Sequence, residues 1–276
     1  MVLALTAVAL LSIEYGSPRL SILSRFVLEH APDEEDRSVA APSPPDGRHW
    51  FGTDIHGRDL LSRLLHGARI SMQVGLAAEA IALALGLIVG ASAGFLGGWI
   101  DALLMRVADL LLAIPLPILA MAAIAVFETR SITLVFGVLG FLGWAGIARL
   151  VRAQCLSVRA RGYPEAARAL GAGSVRLIGR HVLPNAMAPA LVAAAIGVAM
   201  NILTEAWLSF IGLGVQAPAI SWGRMIVDAQ PDLTIRPWLC ITPGIALFLT
   251  VLGFVLLADG LRDLLDPRSR VATHAS

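Results

Sequence analysis

The sequence predicts an all-α integral membrane protein with about six transmembrane helices. Of its 276 residues, 57% are hydrophobic and 15% are charged, whereas soluble domains average about 45–50% apolar and about 25% charged residues. The mean hydropathy of +0.76 agrees with this balance. Long apolar stretches recur along the chain between short charged segments, and a helix of about 20 apolar residues crosses the core of a bilayer.

All 21 residues counted as lysine or arginine are arginines, because the sequence contains no lysine. A Walker A loop, a Schiff-base enzyme and a protein kinase each need a lysine. The sequence therefore excludes these classes, and any ATP that the protein uses must be bound by another chain. The two cysteines, Cys155 and Cys240, lie far apart in the sequence, so they form neither a metal-spaced pair nor a disulfide framework.

Residues 1–48 are predicted to form the first transmembrane helix, an amphipathic segment and a loop. The apolar run from Met1 to Ile13 spans about 20 Å as a helix, which is short of an apolar core about 30 Å thick. We expect a short or abbreviated first span, with a signal peptide as the alternative. Residues 20–27 fit a helix at the membrane surface or one packed on the protein. Residues 31–48 contain four prolines and an acidic cluster, which predict an exposed loop.

Residues 49–276 form the predicted transmembrane domain with five further spans. Their expected bounds are roughly 70–95, 102–127, 131–150, 186–210 and 238–258. Pro115 and Pro117 are predicted to kink the third span. Glycines four residues apart in the second span predict a close helix contact; these are Gly86, Gly90 and Gly94. A second packing stripe is predicted in the fourth span, at Gly137, Gly140, Gly143 and Gly146.

The distribution of charge predicts the topology. Between Arg149 and Arg180 there are seven arginines and one acid, a net +6, whereas residues 14–70 contain seven arginines and nine acids, a net −2. Because basic loops stay in the cytoplasm, residues 149–185 are predicted to be cytoplasmic and the acidic loop extracytoplasmic. With six spans, both termini are then cytoplasmic.

The segment EAARALGAGSVRLIGRHVLPN, which begins at Glu165, is predicted to contain a short cytoplasmic helix. Pro164 suits a first helical turn, Glu165 lies near the positive end of the helix dipole, and Gly171 suits a C-terminal stop. Ala166 and Ala167 leave a slim surface that fits a groove. The segment either docks onto another protein or rests on lipid headgroups through its arginines.

This segment resembles the EAA loop of ABC importer permeases, in its Glu-Ala-Ala triplet, its following glycine and its His181-Val-Leu-Pro184 ending. His181 stands where an aliphatic residue is usual. FGTDIHGRDLLSRLLHGARIS (51–71) and LSFIGLGVQAPAISWGRMI (208–226) look like signatures of the dipeptide/oligopeptide/nickel permease family, specifically its C-type subunit. The resemblance covers nearly the whole chain from residue 50 onward. It departs at the N-terminus, where the family usually has a cytoplasmic tail before a full first span.

The resemblance implies a type I importer permease fold in the cytoplasmic membrane, with a coupling loop at 160–185 that docks onto ATPase subunits. Its coupling residues would be Pro164, Glu165, Ala166, Ala167 and Gly171. It also implies a homologous B-type permease partner, two ATP-binding subunits or a fused double ATPase that bind ATP and Mg²⁺, and an extracytoplasmic solute-binding protein. We expect peptide cargo, with nickel or haem-type cargo as the alternative, and neither a cofactor, an enzyme activity nor a nucleic-acid partner for this chain.

Two glutamates lie within predicted spans, where a charge is costly and usually faces the bundle interior or water. Glu79, roughly 15 Å of helix rise beyond Arg69, could line a translocation pathway, form an internal hydrogen-bonded pair or be protonated. Glu205 lies near the outer end of the fifth span, and we expect it to face a substrate cavity rather than lipid.

Polar residues at the start of the second span allow two interpretations. Imidazole and carboxylate groups are metal ligands, but their spacing here matches no compact motif; the residues concerned are His49, Asp54, His56 and His66. The alternative, which we favour, is that Asp54, Arg58 and Asp59 fix the turn from loop to helix. Trp50 and Trp222 are expected at the outer membrane interface.

Two other classes compete with the permease interpretation. A secondary transporter places ion sites at the membrane midplane, but ionisable residues within the spans are few and the cytoplasmic motif would have no use without a partner. A membrane enzyme needs a nucleophile and base or a set of metal ligands, and no such constellation lies within a predicted span.

Overall fold

Seven α-helices carry the part of the chain that the structure describes, which in this computed structural model is residues 31–38, 41–127, 131–159, 179–180 and 183–265. The helices are α1 (Leu60–Leu96), α2 (Gly98–Ala113), α3 (Leu116–Ala125), α4 (Ile132–Arg159), α5 (Leu183–Phe210), α6 (Trp222–Ala229) and α7 (Trp238–Leu265). A short 3-10 helix, Gln230–Asp232, follows α6. The predicted first span and amphipathic segment lie outside these residues.

Four of the described helices, α1, α4, α5 and α7, are long and apolar enough to cross a membrane, and the bent pair of α2 and α3 makes up to a fifth span. The all-α membrane prediction is therefore confirmed. Helix α1 begins at Leu60, directly after the predicted turn from loop to helix, and both α1 and α4 extend beyond the predicted spans, from Leu60 and to Arg159 respectively. Arginine is a good helix former, so charged residues at these ends do not stop the helices.

The predicted third span is broken rather than kinked. Helices α2 and α3 meet at an angle of 91°. Ile114, which ends α2, has the extended conformation (φ −114°, ψ 133°) that a following proline favours, and Pro117 lies in the first turn of α3, where a missing N–H is harmless. A second sharp turn precedes α2, where Gly97 and Gly98 have φ values of 66° and 57°, a region that favours glycine.

The chain divides into two compact units. Unit 1 comprises Met1–Gly75, Ile124–Val135 and Met200–Gly253, and unit 2 comprises Leu76–Ala123, Phe136–Ala199 and Phe254–Ser276. A core of unit 2 forms where α1, α4 and the start of α5 meet. Its buried residues are Ala82, Ala91, Phe95, Ile147, Val151, Cys155, Val158, Ala186 and Ala190.

The glycine stripe of α1 packs against α4 within unit 2, as predicted. A Cβ atom added at Gly86 would lie 2.6 Å from Ile147, one at Gly90 would lie 2.5 Å from the Ala148 carbonyl oxygen, and one at Gly94 would lie 2.5 Å from Cys155. No real Cβ contact is this short. The small residues are therefore what permits the approach of the two helices.

The second glycine stripe behaves less uniformly. A Cβ at Gly140 would lie 2.6 Å from the Ala78 carbonyl oxygen, and one at Gly143 would make an ordinary contact with Ala82 at 3.5 Å. At Gly137 and Gly146 a Cβ would meet no atom within 4 Å in the described part of the chain. The predicted packing face on α4 is thus confirmed at Gly140, whereas packing at Gly137 and Gly146 stays a prediction.

Candidate functional site

The residues predicted to couple the chain to an ATPase lie outside the described residues, so their role stays a prediction; they are Pro164, Glu165, Ala166, Ala167 and Gly171. The structure does describe the end of α4, from which that loop leaves. Arg152 makes two hydrogen bonds to the carboxylate of Asp101 in α2, one of them 2.6 Å long from Nη2 to Oδ2. Arg159 donates from Nη1 to the carbonyl oxygens of Gly94 and Phe95, at 3.3 Å each. Within unit 2, the end of α4 is therefore tied to both α2 and the last turn of α1.

Glu79 is buried in unit 2, with 6% of its surface exposed. Its carboxylate lies against α5 at Gly197, where any Cβ would clash with both carboxylate oxygens. The glycine thus provides the space that this carboxylate occupies. A buried carboxyl group between helices agrees with the expectation that the residue faces the bundle interior, whereas its place in a translocation pathway stays a prediction.

Glu205 is completely buried in unit 1. Its Oε1 accepts hydrogen bonds from the hydroxyls of Ser209 and Ser221, both at 2.8 Å. Ser209 lies one turn further along α5, whereas Ser221 belongs to the segment that precedes α6. The sequence singled out the glutamate but missed both serines, since an isolated serine gives no pattern. The only available signal was the position of Ser221 just before a helix, where serine is a favoured N-cap.

Helix α6 packs on the first half of α1 through Trp222. The indole Nε1 donates to the carbonyl oxygen of Leu64 at 2.9 Å, and the backbone N–H donates to the hydroxyl of Ser71 at 3.1 Å. The ring lies against Gly67, and only 1% of Trp222 is exposed. Trp222 is therefore packed inside the protein, where its polar N–H has a partner, and does not face lipid; its level at the outer membrane interface stays a prediction. Trp50, by contrast, is 65% exposed.

The turn that leads into α1 is fixed as the sequence predicted. Asp59 caps the helix by accepting from the backbone N–H of Ser62 at 2.7 Å. Asp54 accepts from the backbone N–H and the side-chain Nε of Arg58, at 3.0 and 2.8 Å. The guanidinium of Arg63 lies 3.3 Å from the same carboxylate and is itself buried.

His49 occupies the centre of this loop and is fully buried. Its Nδ1 lies 3.0 Å from Asp59 and its Nε2 lies 3.4 Å from Asp36. Burial alone lowers the pKa of His49, but the hydrogen bonds to the two carboxylates outweigh it and raise the pKa above its ordinary value. Among the described residues, no three His, Cys, Asp or Glu side chains are arranged to hold a metal ion.

A cavity of about 660 Å³ lies in unit 1, beside the start of α1. The loop at 54–58 and α1 form one side of it, and the loop at 217–220 and α6 form the other. Apolar side chains, including Leu60, Met225 and Leu239, alternate with six charged ones: Asp33, Asp54, Arg58, Arg63, Arg224 and Asp228. Three positive and three negative groups balance, and the volume suits a small organic ligand. Neither Glu79 nor Glu205 lines this cavity.

Comparison with known proteins places these features in a family. Residues 83–271 match the family described as binding-protein-dependent transport system inner membrane component. The oligopeptide transport system permease protein OppC of Bacillus subtilis is 42% identical over 230 residues, which cover 83% of this chain and 75% of that protein. The dipeptide transport system permease protein DppC of Alkalihalophilus pseudofirmus is 39% identical over 259 residues, covering 91% and 85%. The glutathione transport system permease protein GsiD of Pectobacterium atrosepticum is 41% identical over 224 residues, covering 81% and 74%.

A solved structure supports the fold. The crystal structure of an amino acid ABC transporter with histidines contains a chain that aligns with a TM-score of 0.57 and 18% sequence identity, covering 74% of this chain and 94% of that one. At this identity the likeness concerns the fold alone. The family match covers more than half of the sequence, and the relatives align over most of it. The chain thus belongs to the inner membrane permease components of binding-protein-dependent transport systems.

Proposed function

We propose that the chain is the C-type permease subunit of an ATP-driven importer that carries di- and oligopeptides across the cytoplasmic membrane. The observation that carries this proposal is the alignment of 83% and 91% of the chain with permeases named for oligopeptide and dipeptide transport systems. The balanced charges of the unit 1 cavity are consistent with it, since a short peptide is itself a zwitterion. Nickel and haem-type cargo have no comparable support.

The proposed role requires partners, because the chain has no lysine with which to build a Walker A loop. We infer that a homologous B-type permease completes the pathway, that ATP-binding subunits or a fused double ATPase hold ATP and Mg²⁺, and that an extracytoplasmic solute-binding protein delivers the peptide. Glu165 and its neighbours would dock on the ATPase. The ion pair of Arg152 with Asp101 and the contacts of Arg159 with α1 would give that docking loop a firm base.

Reconstitution of the transporter in proteoliposomes tests this function. The complete complex, with its solute-binding protein outside and ATP inside, is expected to accumulate a radiolabelled tripeptide. A matched complex whose ATPase subunits carry a substituted Walker lysine should accumulate none, and a protonophore should have no effect. Uptake that survives ATPase inactivation and stops with the protonophore would establish a secondary transporter instead.

The choice of cargo has its own test. The solute-binding protein that purifies with the complex should be identified, and its bound ligand should be analysed by mass spectrometry. A peptide ligand, including the tripeptide glutathione, supports the proposal. A nickel chelate or a haem as the sole ligand would refute the peptide assignment while leaving the permease role intact.

A further inference from the structure

A buried carboxylate of α5 is bonded to the segment that carries α6 (residues 211–229, called here the α6 segment). Glu205 receives a hydrogen bond from Ser209 in its own helix and another from Ser221, sixteen residues later in the chain. The first bond stays within α5, whereas the second joins two elements, and the backbone N–H of Val215 is a further donor to this carboxylate from the α6 segment. Both bonds involve a charged or strongly polar acceptor in a water-excluded place, where hydrogen bonds are strong and a lost partner is costly.

Ser221 also caps the N-terminus of α6, so a change at its bond to Glu205 affects the helix as well. Its hydroxyl donates to Glu205 and also accepts from the backbone N–H of Arg224 at 3.1 Å, so it caps α6. The carboxylate therefore orients the hydroxyl that satisfies the first turn of the helix. Moving Glu205 would disturb both the position of α6 and its N-terminus.

The rest of the α6 segment is packed closely on two helices of unit 1. A Cβ at Gly223 would lie 2.5 Å from the Cα of Ala206 in α5, and Trp222 is bonded to Leu64 and Ser71 in α1. Helix α6 then places Arg224, Met225 and Asp228 along the cavity. The bond between Glu205 and Ser221 is thus one of the contacts that position this wall of the cavity, together with those of Trp222 and Gly223.

We infer that Glu205 is a positioning residue, which fixes the α6 segment and the cavity wall that it carries, and not a group that meets the transported molecule. Three observations support this: the side chain has no exposed surface, its Oε1 is already occupied by two hydroxyls, and it does not line the cavity. The remaining Oε2 is buried without a hydrogen-bond partner among the described residues. The inference depends on the proposed function only where peptide import is used to test it.

The position of α6 can be measured directly in the assembled transporter. Spin labels are placed at His56→Cys and Gln230→Cys, two exposed positions in unit 1, after Cys155 and Cys240 have been replaced by alanine. Pulsed electron resonance then gives the distribution of distances between the labels. Glu205→Ala and Ser221→Ala should each broaden this distribution at least twofold relative to the labelled parent. Glu205→Gln should broaden it clearly less than Glu205→Ala does, because the amide oxygen still accepts from both serines while only the other carboxylate oxygen is replaced by an NH2 group.

Ser209→Ala is the matched control, since it removes a hydroxyl from the same carboxylate but leaves the link to α6 intact. Two results would overturn the inference. In the first, Ser209→Ala broadens the distance distribution as much as Ser221→Ala does. In the second, neither Glu205→Ala nor Ser221→Ala broadens it. Transport gives the second readout: Glu205→Gln should import peptide within about twofold of the parent. Loss of import in Glu205→Gln with an unchanged distance distribution would mean that the charge acts on the cargo, contrary to the inference. The distances between the labels are measured without cargo. They therefore test the positioning role of Glu205 even if the transporter does not carry peptides.

Discussion

Gly90 of α1 lies directly against the backbone of Ala148 in α4, so that a Cβ at Gly90 would stand 2.5 Å from the Ala148 carbonyl oxygen. A backbone atom cannot rotate away as a side chain can. Gly90→Leu is therefore expected to separate the helices, at a cost at or above the ~1–3 kcal/mol typical of overpacking. The change should lower the yield and thermal stability of the purified complex, measured by size-exclusion chromatography after heating.

Leu87→Ala is the control for that substitution. Leu87 lies beside the same core but is only partly buried, so shortening it should cost less than the ~2–5 kcal/mol of a fully buried leucine. Equal stability of the two variants would show that the glycine face is not a close interface.

Amide protons in the loop around His49 should lose their protection against hydrogen exchange as the pH rises. Hydrogen bonds to Asp59 and Asp36 outweigh burial and raise the pKa of His49, so folding favours the protonated ring. The resulting stabilisation is complete below the ordinary pKa of about 6.5 and disappears as the pH rises through the higher folded pKa. Hydrogen bonds from Ser38 lower the pKa of Asp36 to about 2, so that carboxylate stays ionised throughout. Hydrogen exchange of residues 41–59, corrected for the intrinsic rate, should speed up as the pH rises above the ordinary histidine pKa of about 6.5 and through the raised pKa of His49.

His49→Gln separates this titration from other effects of pH. The amide has no proton to lose in this range, so its exchange should not depend on pH beyond the intrinsic correction. A pH profile in His49→Gln that matches the parent would assign the change to another group.

The topology can be tested with single cysteines at exposed sites. In a background without Cys155 and Cys240, Arg37→Cys in the acidic loop and Arg180→Cys in the predicted coupling loop are both at exposed positions. An impermeant thiol reagent added to intact cells should label Arg37→Cys alone, and permeabilisation should add Arg180→Cys. The reverse pattern would invert the proposed orientation.

Changes in the predicted coupling helix should disconnect ATP hydrolysis from transport without unfolding the membrane helices. Glu165→Lys reverses a charge near the positive helix end, at a cost of ~0.3–1 kcal/mol from the dipole interaction, which is too little to unfold the bundle. Gly171→Val places a β-branched residue at the predicted helix stop, where a left-handed conformation would be strained. Both variants should retain the B-type partner, and either lose the ATPase on purification or hydrolyse ATP without importing peptide.

Arg106→Lys is a suitable reference for the coupling variants, because it keeps its charge and lies in α2, away from the predicted loop in sequence. If Glu165→Lys and Gly171→Val hold the ATPase and import peptide as this reference does, the docking assignment is wrong. The arginine-rich segment would then rest on lipid.

Patterns that depend on local chain geometry were the ones that could be predicted from sequence. The helix starts and stops set by Asp59 and Pro115, and the close face at Gly90, follow from capping, proline sterics and residue size. The 91° angle between α2 and α3 could not be predicted, since a proline breaks a helix without fixing the direction of the next one.

The polar contacts of unit 1 could not be predicted for a different reason. Ser221 lies 16 residues from its partner Glu205, and Trp222 lies 151 residues from its partner Ser71, so tertiary packing determines both contacts. A tryptophan near a span end is statistically an interface residue, yet here its N–H bonds to Leu64 and its ring is buried. Glu205 could be selected from the sequence because an ionisable residue within a span is rare. Its partners could not, because serines are common and give no pattern.

Two of the arginines described above use more than one nitrogen to bind their partners. Arg152 donates hydrogen bonds to both carboxylate oxygens of Asp101, and Arg63 forms ion pairs with Asp33 and Asp54. An ammonium group is a single point charge and cannot reproduce these forks. The chain has arginine at both of these positions and contains no lysine at any other. Its side chains consequently do not react with amine-directed reagents, which leaves the α-amino group as the target. In an assembled transporter, an amine-reactive cross-linker or dye would report on the other subunits, and guanidinium-directed reagents would be needed to mark this one.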